Sequence, residues 1–296
     1  MDRAKQSYIY AGLAVLFWST IPTVFKIGLG ELDVLTMLTI ATFTSAIVLF
    51  IIVIGGKKFE LLKKTTGKDL LISAFLGLIN PFIYYIILLK VYKLLPAQVA
   101  QPLNMIWPII LVFLSVPLLK QKVAAKSFAA LFISFSGVYI ISSQGHPFQP
   151  GKSDTTGVLL ATGSSVFWAL YFIFNMKDKR DESVKLFTNF LFASVFLLIT
   201  LLIYRNSGSA ISFKGAAASV YVGVFEMGIT FYFWLKALQL ATTSDKVSNL
   251  VYLAPFLSLV FVHFIIKEPV YYTTPAGLLL IIAGIFIQNQ RSKSKG

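Results

Sequence analysis

The composition of this 296-residue chain points to a membrane environment. Hydrophobic residues make up 57% of the sequence and charged residues only 13%, against about 25% charged residues in an average soluble domain. So few charges cannot cover the surface of a soluble globule of this length. The sequence has no cysteine, which excludes disulfides and thiolate metal sites. Its net charge of +14 must be explained by where the basic residues lie.

Uncharged runs divide the chain into segments of membrane-spanning length. Nine runs of 19 to 26 residues contain no Asp, Glu, Lys or Arg, and a tenth is interrupted only by Glu226. About 20 apolar residues in a helix cross the hydrocarbon core, and a helix satisfies its own backbone polar groups there. The sequence therefore predicts an all-α integral membrane protein. Its ten transmembrane helices are expected at 7–28, 34–54, 69–90, 96–119, 124–143, 155–176, 184–204, 214–236, 246–266 and 272–290.

The basic residues distinguish the two sides of the membrane. Of the 26 Lys and Arg residues, 19 lie at the termini or in the loops on the same side, and 7 lie on the other side. The positive-inside rule places the richer side, and with it both termini, in the cytoplasm. We expect a multi-pass protein of the cell (inner) membrane whose basic residues meet anionic lipid headgroups. No nucleic-acid partner is needed to explain the charge.

The two halves of the sequence resemble each other at a shift of 146 or 147 residues. LGLINPFIYYIILLK (76–90) aligns with VGVFEMGITFYFWLK (222–236), and AALFISFSGVYII (129–141) aligns with AGLLLIIAGIFIQ (276–288). Each half holds five predicted spans, so the two halves enter the membrane from opposite sides, as in many secondary transporters. We predict two inverted five-helix repeats, at 1–145 and 155–296, joined by an outer linker at 146–154.

Glu226 lies near the middle of the eighth predicted helix, and Asn80 takes the corresponding place in the third. An ionised carboxylate at the centre of a membrane is costly, so it must be paired, hydrated or protonated. Two interpretations stay open. Glu226 takes up a coupling proton or holds a substrate amine, or it joins helices through a neutral hydrogen bond. We favour the first, because intramembrane carboxylates usually serve function.

Other polar and aromatic residues lie on helix faces that line either a cavity or a neighbouring helix. Aromatic surfaces suit flat or cationic substrates through stacking and cation–π attraction. A proline inside a helix removes a hydrogen bond, so Pro108 and Pro255 are predicted hinges of the fourth and ninth helices. The candidate substrate-binding residues are Glu226, Asn80, Tyr84, Trp18, Trp168, Tyr171, Gln101, Asn249 and Tyr252.

The sequence lacks the motifs of energy-consuming pumps and metal hydrolases. It has no glycine-rich phosphate-binding loop, which argues against an ATP-driven pump within this chain. Its two histidines, His146 and His263, do not form an HExxH motif, so we expect no metal site and no cofactor.

Several apolar motifs resemble those of one transporter family. TFYFWLKAL (230–238), LAPFLSLVFV (253–262) and AGLLLIIAG (276–284), with Lys267–Glu268 after the ninth helix, resemble the EamA-like branch of the drug/metabolite transporter superfamily. The resemblance covers nearly the whole chain. It implies a secondary carrier of small metabolites, often an exporter of amino acids, with a central cavity between helices one, three, four, six, eight and nine. Glu226 departs from the family pattern, in which this position more often holds a small residue.

We therefore predict a secondary active transporter, an exporter of small metabolites such as amino acids or amine-bearing compounds, and not an enzyme. It would work by alternating access. The expected partners are a small-molecule substrate, membrane lipid and a coupling proton, and the chain would be a monomer or a homodimer. Three alternatives stay open: an intramembrane lipid-modifying enzyme, a passive channel, and a carrier of the same superfamily for drugs or nucleotide sugars.

Overall fold

The computed structural model describes residues 3–120, 125–146, 152–204, 211–240 and 249–289. These residues form helices joined by short turns and contain no β-strand. Two π-helical segments, Leu78–Ile83 and Val222–Glu226, and one 3₁₀ turn, Asn249–Tyr252, interrupt the helical path. The α-helices are α1 (Arg3–Glu31), α2 (Val34–Gly55), α3 (Phe59–Lys63), α4 (Gly67–Gly77), α5 (Tyr84–Leu94), α6 (Ala97–Asn104), α7 (Trp107–Leu119), α8 (Ala125–Ser142), α9 (Thr155–Lys177), α10 (Glu182–Tyr204), α11 (Phe213–Tyr221), α12 (Ile229–Leu240), α13 (Leu253–Ile265) and α14 (Thr273–Asn289).

The helices have the length and exposure expected of a multi-pass membrane protein. Leu71, Leu202 and Phe264 are 73–74% exposed, so large apolar side chains point outward, where lipid covers them without cost. Shorter apolar helices lie at Phe128–Ser142, Leu250–Ile265 and Thr273–Ile287. Within the described part of the chain, six helical stretches are long and apolar enough to cross a membrane: Lys5–Glu31, Val34–Gly55, Gly67–Leu94, Thr155–Asn175, Glu182–Tyr204 and Phe213–Trp234. The arrangement of ten helices in two inverted repeats stays a prediction.

Side-chain caps explain where several helices begin. The Asp33 carboxylate accepts hydrogen bonds from the backbone N–H groups of Leu35 and Thr36 at the start of α2. Thr66 and Asp69 form a reciprocal capping box at the start of α4. These side chains satisfy N–H groups that have no partner inside the first helical turn.

The chain divides into two compact units. The first contains Met1–Leu89 and Asp178–Lys267, and the second contains Lys90–Lys177 and Glu268–Gly296. In the first unit, α1 packs against α11, α12 and α13, while α10 packs against α2 and α4. In the second unit, α8 packs against α14, and α9 packs against α6 and α7.

Glycines let helices of the first unit touch through their backbones. A Cβ atom on Gly77 would overlap the carbonyl oxygen of Asn189 in α10, and one on Gly223 would overlap that of Ala41 in α2. Gly77 and Gly223 are 146 residues apart, and their partners Ala41 and Asn189 are 148 apart. Exchanging the two halves of the sequence therefore converts one contact into the other.

The second unit has the same exchange at the crossing of α8 and α14. A Cβ atom on Gly137 would lie 2.5 Å from the carbonyl oxygen of Gly277, and one on Gly284 would lie 2.7 Å from that of Ala130. Gly137 and Gly284 are 147 residues apart, as are Ala130 and Gly277. Such small-residue crossings allow close packing of helices in membranes.

The two predicted proline hinges lie slightly beyond the actual interruptions. Pro108 is the second residue of α7 and Pro255 the third residue of α13. In a first turn the proline has no intrahelical hydrogen bond to remove. The helical path is interrupted just before these helices begin, at residues 105–106 and at the 3₁₀ turn Asn249–Tyr252. The prolines therefore start new helices instead of bending continuous ones.

Candidate functional site

Glu226 is the last residue of the second π-helical segment and is half-buried in the first unit. Its Oε1 atom accepts a hydrogen bond from the hydroxyl of Tyr85 at 2.9 Å. Among the described residues, Tyr85 is the only hydrogen-bond donor to this carboxylate, and no Lys, Arg or His forms an ion pair with it. The arrangement combines a carboxylate in a membrane-spanning helix with a single neutral partner.

Hydroxyl groups stabilise the interruption that places Glu226. After the π-helical segment, the chain turns at Met227 and Gly228 before α12 begins. The Ser45 hydroxyl in α2 donates to the carbonyl oxygen of Met227 at 2.8 Å, and the Thr230 hydroxyl donates to the carbonyl oxygen of Phe225. Carbonyl groups exposed by a broken membrane helix need such partners, because lipid supplies none.

The first π-helical segment lies at the corresponding place in the first half of the chain. Asn80 has an extended backbone with φ −148° and ψ 122°, as expected of a residue that precedes a proline. Its side chain is only 1% exposed, and its Oδ1 atom has no hydrogen-bond partner among the described residues. Leu78–Ile83, shifted by 146 residues, overlaps the interruption at 222–228. Both predicted partners, Asn80 and Glu226, therefore lie in broken helices.

The third predicted helix contacts α10 through Ser73 and Gly77. The Ser73 hydroxyl shares a 2.8 Å hydrogen bond with Thr188, and Gly77 lies against the backbone of Asn189. Gly223 in the eighth helix likewise packs against a neighbouring helix, at Ala41 of α2. These residues serve helix packing. The break that follows Gly77 changes which way the side chains beyond it point.

The break also explains why Tyr85, which is not among the predicted site residues, contacts Glu226 in place of the predicted Tyr84. A π-helical turn holds more residues than an α-helical turn, so the faces predicted from α-helical spacing no longer apply beyond it. Tyr84 is buried and lies edge-on to Tyr85, with ring centroids 4.9 Å apart. The proline at position 81 was the available signal for the break.

Aromatic rings cover the sequence neighbour of Glu226. Phe225 packs against Phe17 of α1 and Tyr221 of α11, with ring centroids 4.7 and 4.6 Å apart. The predicted site residue Trp18 packs against Trp234 of α12 at 5.3 Å between ring centroids. Phe17 thus lies beside the neighbour of Glu226, whereas Trp18 contacts a residue eight positions further along the chain.

The other predicted residues divide between the two units. Tyr252 is half-buried in the 3₁₀ turn of the first unit, and the side chain of Asn249 lies outside the described residues. Gln101, Trp168 and Tyr171 belong to the second unit. There, Trp168 lies 6.4 Å from Trp107 between ring centroids. One turn before Trp168, the Ser164 hydroxyl accepts a hydrogen bond from the Asn104 side chain at 2.7 Å.

Comparison with known proteins identifies the family. The sequence model of the EamA-like transporter family matches residues 5–143 and again residues 155–290. The chain belongs to the EamA-like transporter family. The resemblance predicted from the apolar motifs is therefore confirmed, and the protein is a transporter of the drug/metabolite superfamily type.

Relatives of this EamA-like chain carry equally general names. It is 28% identical to the "Uncharacterized transporter YvbV" of Bacillus subtilis (strain 168), over 95% of this chain and 90% of that protein. An "Uncharacterized transporter" of Archaeoglobus fulgidus is 24% identical over 96% of this chain and 97% of its own length. One crystal structure, described only as that of a protein, matches with a TM-score of 0.68 at 17% identity, covering 97% of each chain. That likeness shows the fold alone.

A second polar cluster in this EamA-like transporter lies at the start of α10 and was not predicted. Arg180 pairs with the buried Asp178, with 2.5 Å between Nη2 and Oδ2, and donates to the Ser73 hydroxyl at 2.8 Å. Burial alone would raise the pKa of Asp178, but the hydrogen bonds from Arg180 outweigh it and hold that pKa below its ordinary value. The cluster ties α4 to α10 and lies at the other end of α4 from the break before Tyr85.

Proposed function

We propose that this protein is a secondary carrier that exports small metabolites, amino acids or other amine-bearing compounds, by alternating access. The observation that carries the proposal is the Glu226 carboxylate, which has one neutral hydrogen-bond partner and no cation among the described residues. A carboxylate in a membrane-spanning helix without a positive partner is costly as an ion. A proton or a substrate ammonium group would neutralise it, so occupancy of the site and its charge change together.

In α1 and in the eighth predicted helix, the nearest lysines lie far from the level of Glu226. Phe17 of α1 lies at the level of Phe225, and the nearest lysine in α1, Lys26, is nine residues further along, or about 14 Å at the helical rise. In the eighth helix, Lys236 is ten residues from Glu226, or about 15 Å. A cation at Glu226 would therefore come from outside these helices, as a substrate does.

Three observations support a repeat of the two halves, and inverted repeats are the architecture by which many transporters achieve alternating access. The family model matches each half of the chain separately. The π-helical breaks overlap under the sequence shift. The glycine contacts exchange between halves in both units. We propose repeats at 1–145 and 155–296 around the linker 146–154, with cytoplasmic termini. Transporter sites commonly lie at broken helices between such inverted repeats.

A transport assay tests the role of Glu226. Purified protein in proteoliposomes would be tested against a panel of amino acids and amines, and Glu226→Gln would be compared with wild type. We expect transport of the accepted substrate to fall about a hundredfold, since removing one partner of a buried charge pair costs several kcal/mol. Glu60→Gln is the matched control, because the Glu60 side chain is 72% exposed in α3.

Three results would contradict the proposal. Wild-type flux in Glu226→Gln at every pH would remove this residue from the mechanism. Turnover of a lipid by the purified protein would favour an intramembrane enzyme. Currents too large for a carrier would favour a channel.

A further inference from the structure

We propose that Tyr85 is the positioning residue of the site: its hydroxyl fixes Oε1 of Glu226 and leaves Oε2 as the acceptor for a substrate ammonium group. This inference rests on the proposed function, because it assigns the atom at which that function binds its substrate. The observation that carries it is the 2.9 Å hydrogen bond between the Tyr85 hydroxyl and Oε1. Oε2 has no partner among the described residues.

Packing fixes the direction of the Tyr85 hydroxyl. Tyr85 is only 1% exposed, and its ring meets that of Tyr84 nearly at a right angle, 81° between ring planes. A buried ring in such contacts has little rotational freedom. The hydroxyl is therefore presented to Glu226 from a fixed position. A carboxylate held at one oxygen directs the other oxygen to the opposite side.

A neutral donor suits this task better than a cation. A hydrogen bond to a charged group contributes about 1.5–3 kcal/mol, which helps to hold the carboxylate without cancelling its charge. A Lys or Arg in the place of Tyr85 would form a closed ion pair, as Arg180 does with Asp178 elsewhere in this unit. The phenol leaves the negative charge available, so an ammonium N–H can donate to Oε2 in a charge-assisted hydrogen bond.

The bond also joins the two broken helices. Tyr85 is the second residue after the first π-helical segment, and Glu226 is the last residue of the second segment. In a continuous α-helix, Tyr84 and not Tyr85 would share the face of Asn80. The break thus creates the geometry in which a tyrosine hydroxyl meets the carboxylate.

A double-mutant cycle tests the proposal in proteoliposomes, with 2-phenylethylamine as the probe because it is a primary amine with one aromatic ring. We expect Tyr85→Phe to raise KM about tenfold, the effect of losing one hydrogen bond to a charged group. In the Glu226→Gln background, the same substitution should change the residual flux no further. Tyr221→Phe is the matched control, since it removes a 2.9 Å hydrogen bond between the Tyr221 and Thr20 hydroxyls. We expect its KM to equal that of wild type. An equal effect of Tyr85→Phe in both backgrounds, or none, would overturn the proposal.

Infrared spectroscopy decides the role of Tyr85 without any substrate. The carboxyl bands of Glu226 are those that disappear in Glu226→Gln. We expect Tyr85→Phe to shift these bands, because the hydrogen bond to Oε1 is lost, and Tyr221→Phe to leave them in place. If wild type transports no amine while the bands shift, the proposed substrate class fails and the positioning contact stands. If the bands do not move in Tyr85→Phe, the inference fails, whatever the transport result.

Discussion

Asn189 in α10 is a buried polar residue of the first unit whose side chain lacks hydrogen bonds to the other described residues. Its side chain is completely buried, and neither its amide nitrogen nor its amide oxygen has a hydrogen-bond partner within the described ranges. An unsatisfied buried polar group costs about 1–3 kcal/mol. By contrast, the nearby Ser73 and Thr188 hydroxyls satisfy each other at 2.8 Å.

Replacing Asn189 with an apolar residue of similar size should stabilise the protein. We expect Asn189→Leu to raise the free energy of unfolding by about 1–2 kcal/mol, because the desolvation cost of the amide disappears. The measurement is the midpoint of thermal unfolding in detergent. Asn104→Leu is the control and should lower the midpoint, since the Asn104 amide donates to Ser164 at 2.7 Å. A lower midpoint for Asn189→Leu would show that its amide has a partner in the protein.

The Asp178–Arg180 pair should make stability depend on pH. The pKa of Asp178 is held below its ordinary value, which is about 3.9 in an unfolded chain. Its contribution to the free energy of unfolding is therefore present above that value and is lost as the pH falls through the lower, folded-state pKa. We expect Asp178→Asn to lower stability by about 3 kcal/mol at neutral pH.

Thermal unfolding at several pH values checks this prediction. The difference between wild type and Asp178→Asn should shrink as the pH falls below about 4. Asp181→Asn is the control with a smaller expected effect, because the Asp181–Lys58 pair is 25% and 38% exposed and exposed ion pairs contribute little. A constant difference at all pH values would show that the Asp178 charge is not involved.

At the scale of single residues, charge was predictable from the sequence and contact was not. Glu226 was selected as a candidate because it stands alone in an uncharged run. Tyr85 was missed because it is one of many aromatic residues in apolar helices, and only the hydrogen bond distinguishes it. The contacts of Arg180 with Asp178 and Ser73 could not be predicted for a similar reason, since loop charges near a membrane surface are common.

Among the helices, the crossing of α8 and α14 depends on the absence of side chains. We expect Gly137→Ala to destabilise the protein by about 1–3 kcal/mol, because the new methyl group would lie 2.5 Å from the carbonyl oxygen of Gly277 and must force the helices apart. Gly163→Ala in α9 is the matched control, since nothing lies within 4 Å of its Cβ position. It should gain about 0.5–1 kcal/mol from the better helix propensity of alanine. Thermal unfolding in detergent compares the two, and equal midpoints would contradict the close crossing.

The helices themselves were predictable because uncharged runs have the length of a membrane span. Their interruptions were less so. Pro108 and Pro255 were chosen as hinges, but both lie in first turns, where proline is well tolerated. Pro81 lies inside a break, and Val222–Glu226 breaks without any proline. Sequence spacing does not reveal such a π-helical turn, because it depends on contacts with α2 such as the Ser45 hydrogen bond.

For the whole molecule, the predicted orientation in the membrane can be tested by labelling. The natural chain has no cysteine, so a single introduced thiol gives an unambiguous signal. We expect Lys64→Cys, between α3 and α4, to react with a membrane-impermeant maleimide only after the cells are opened. Lys152→Cys, in the proposed outer linker, should react on intact cells. The reverse pattern would contradict cytoplasmic termini.

The compact units do not coincide with the sequence repeats. Each half of the chain contributes residues to both units, so the boundaries of the repeats cannot be inferred from compactness alone. The repeats were predicted because similar residues recur in order, and their boundaries stay a prediction. The sequence could not predict the units, because they depend on which helices pack together, and apolar helices offer many similar surfaces.

Both ends of the Tyr85–Glu226 bond belong to the same compact unit. If that unit moves as a body during a transport cycle, the phenol travels with the acid, and the motion alone leaves their distance unchanged. A change in the charge or hydration of the Glu226 carboxylate must then come from the binding or release of a proton, a water molecule or a substrate. The free energy of binding at the site would then depend on the species that binds and not on a change in the geometry of the Tyr85–Glu226 pair.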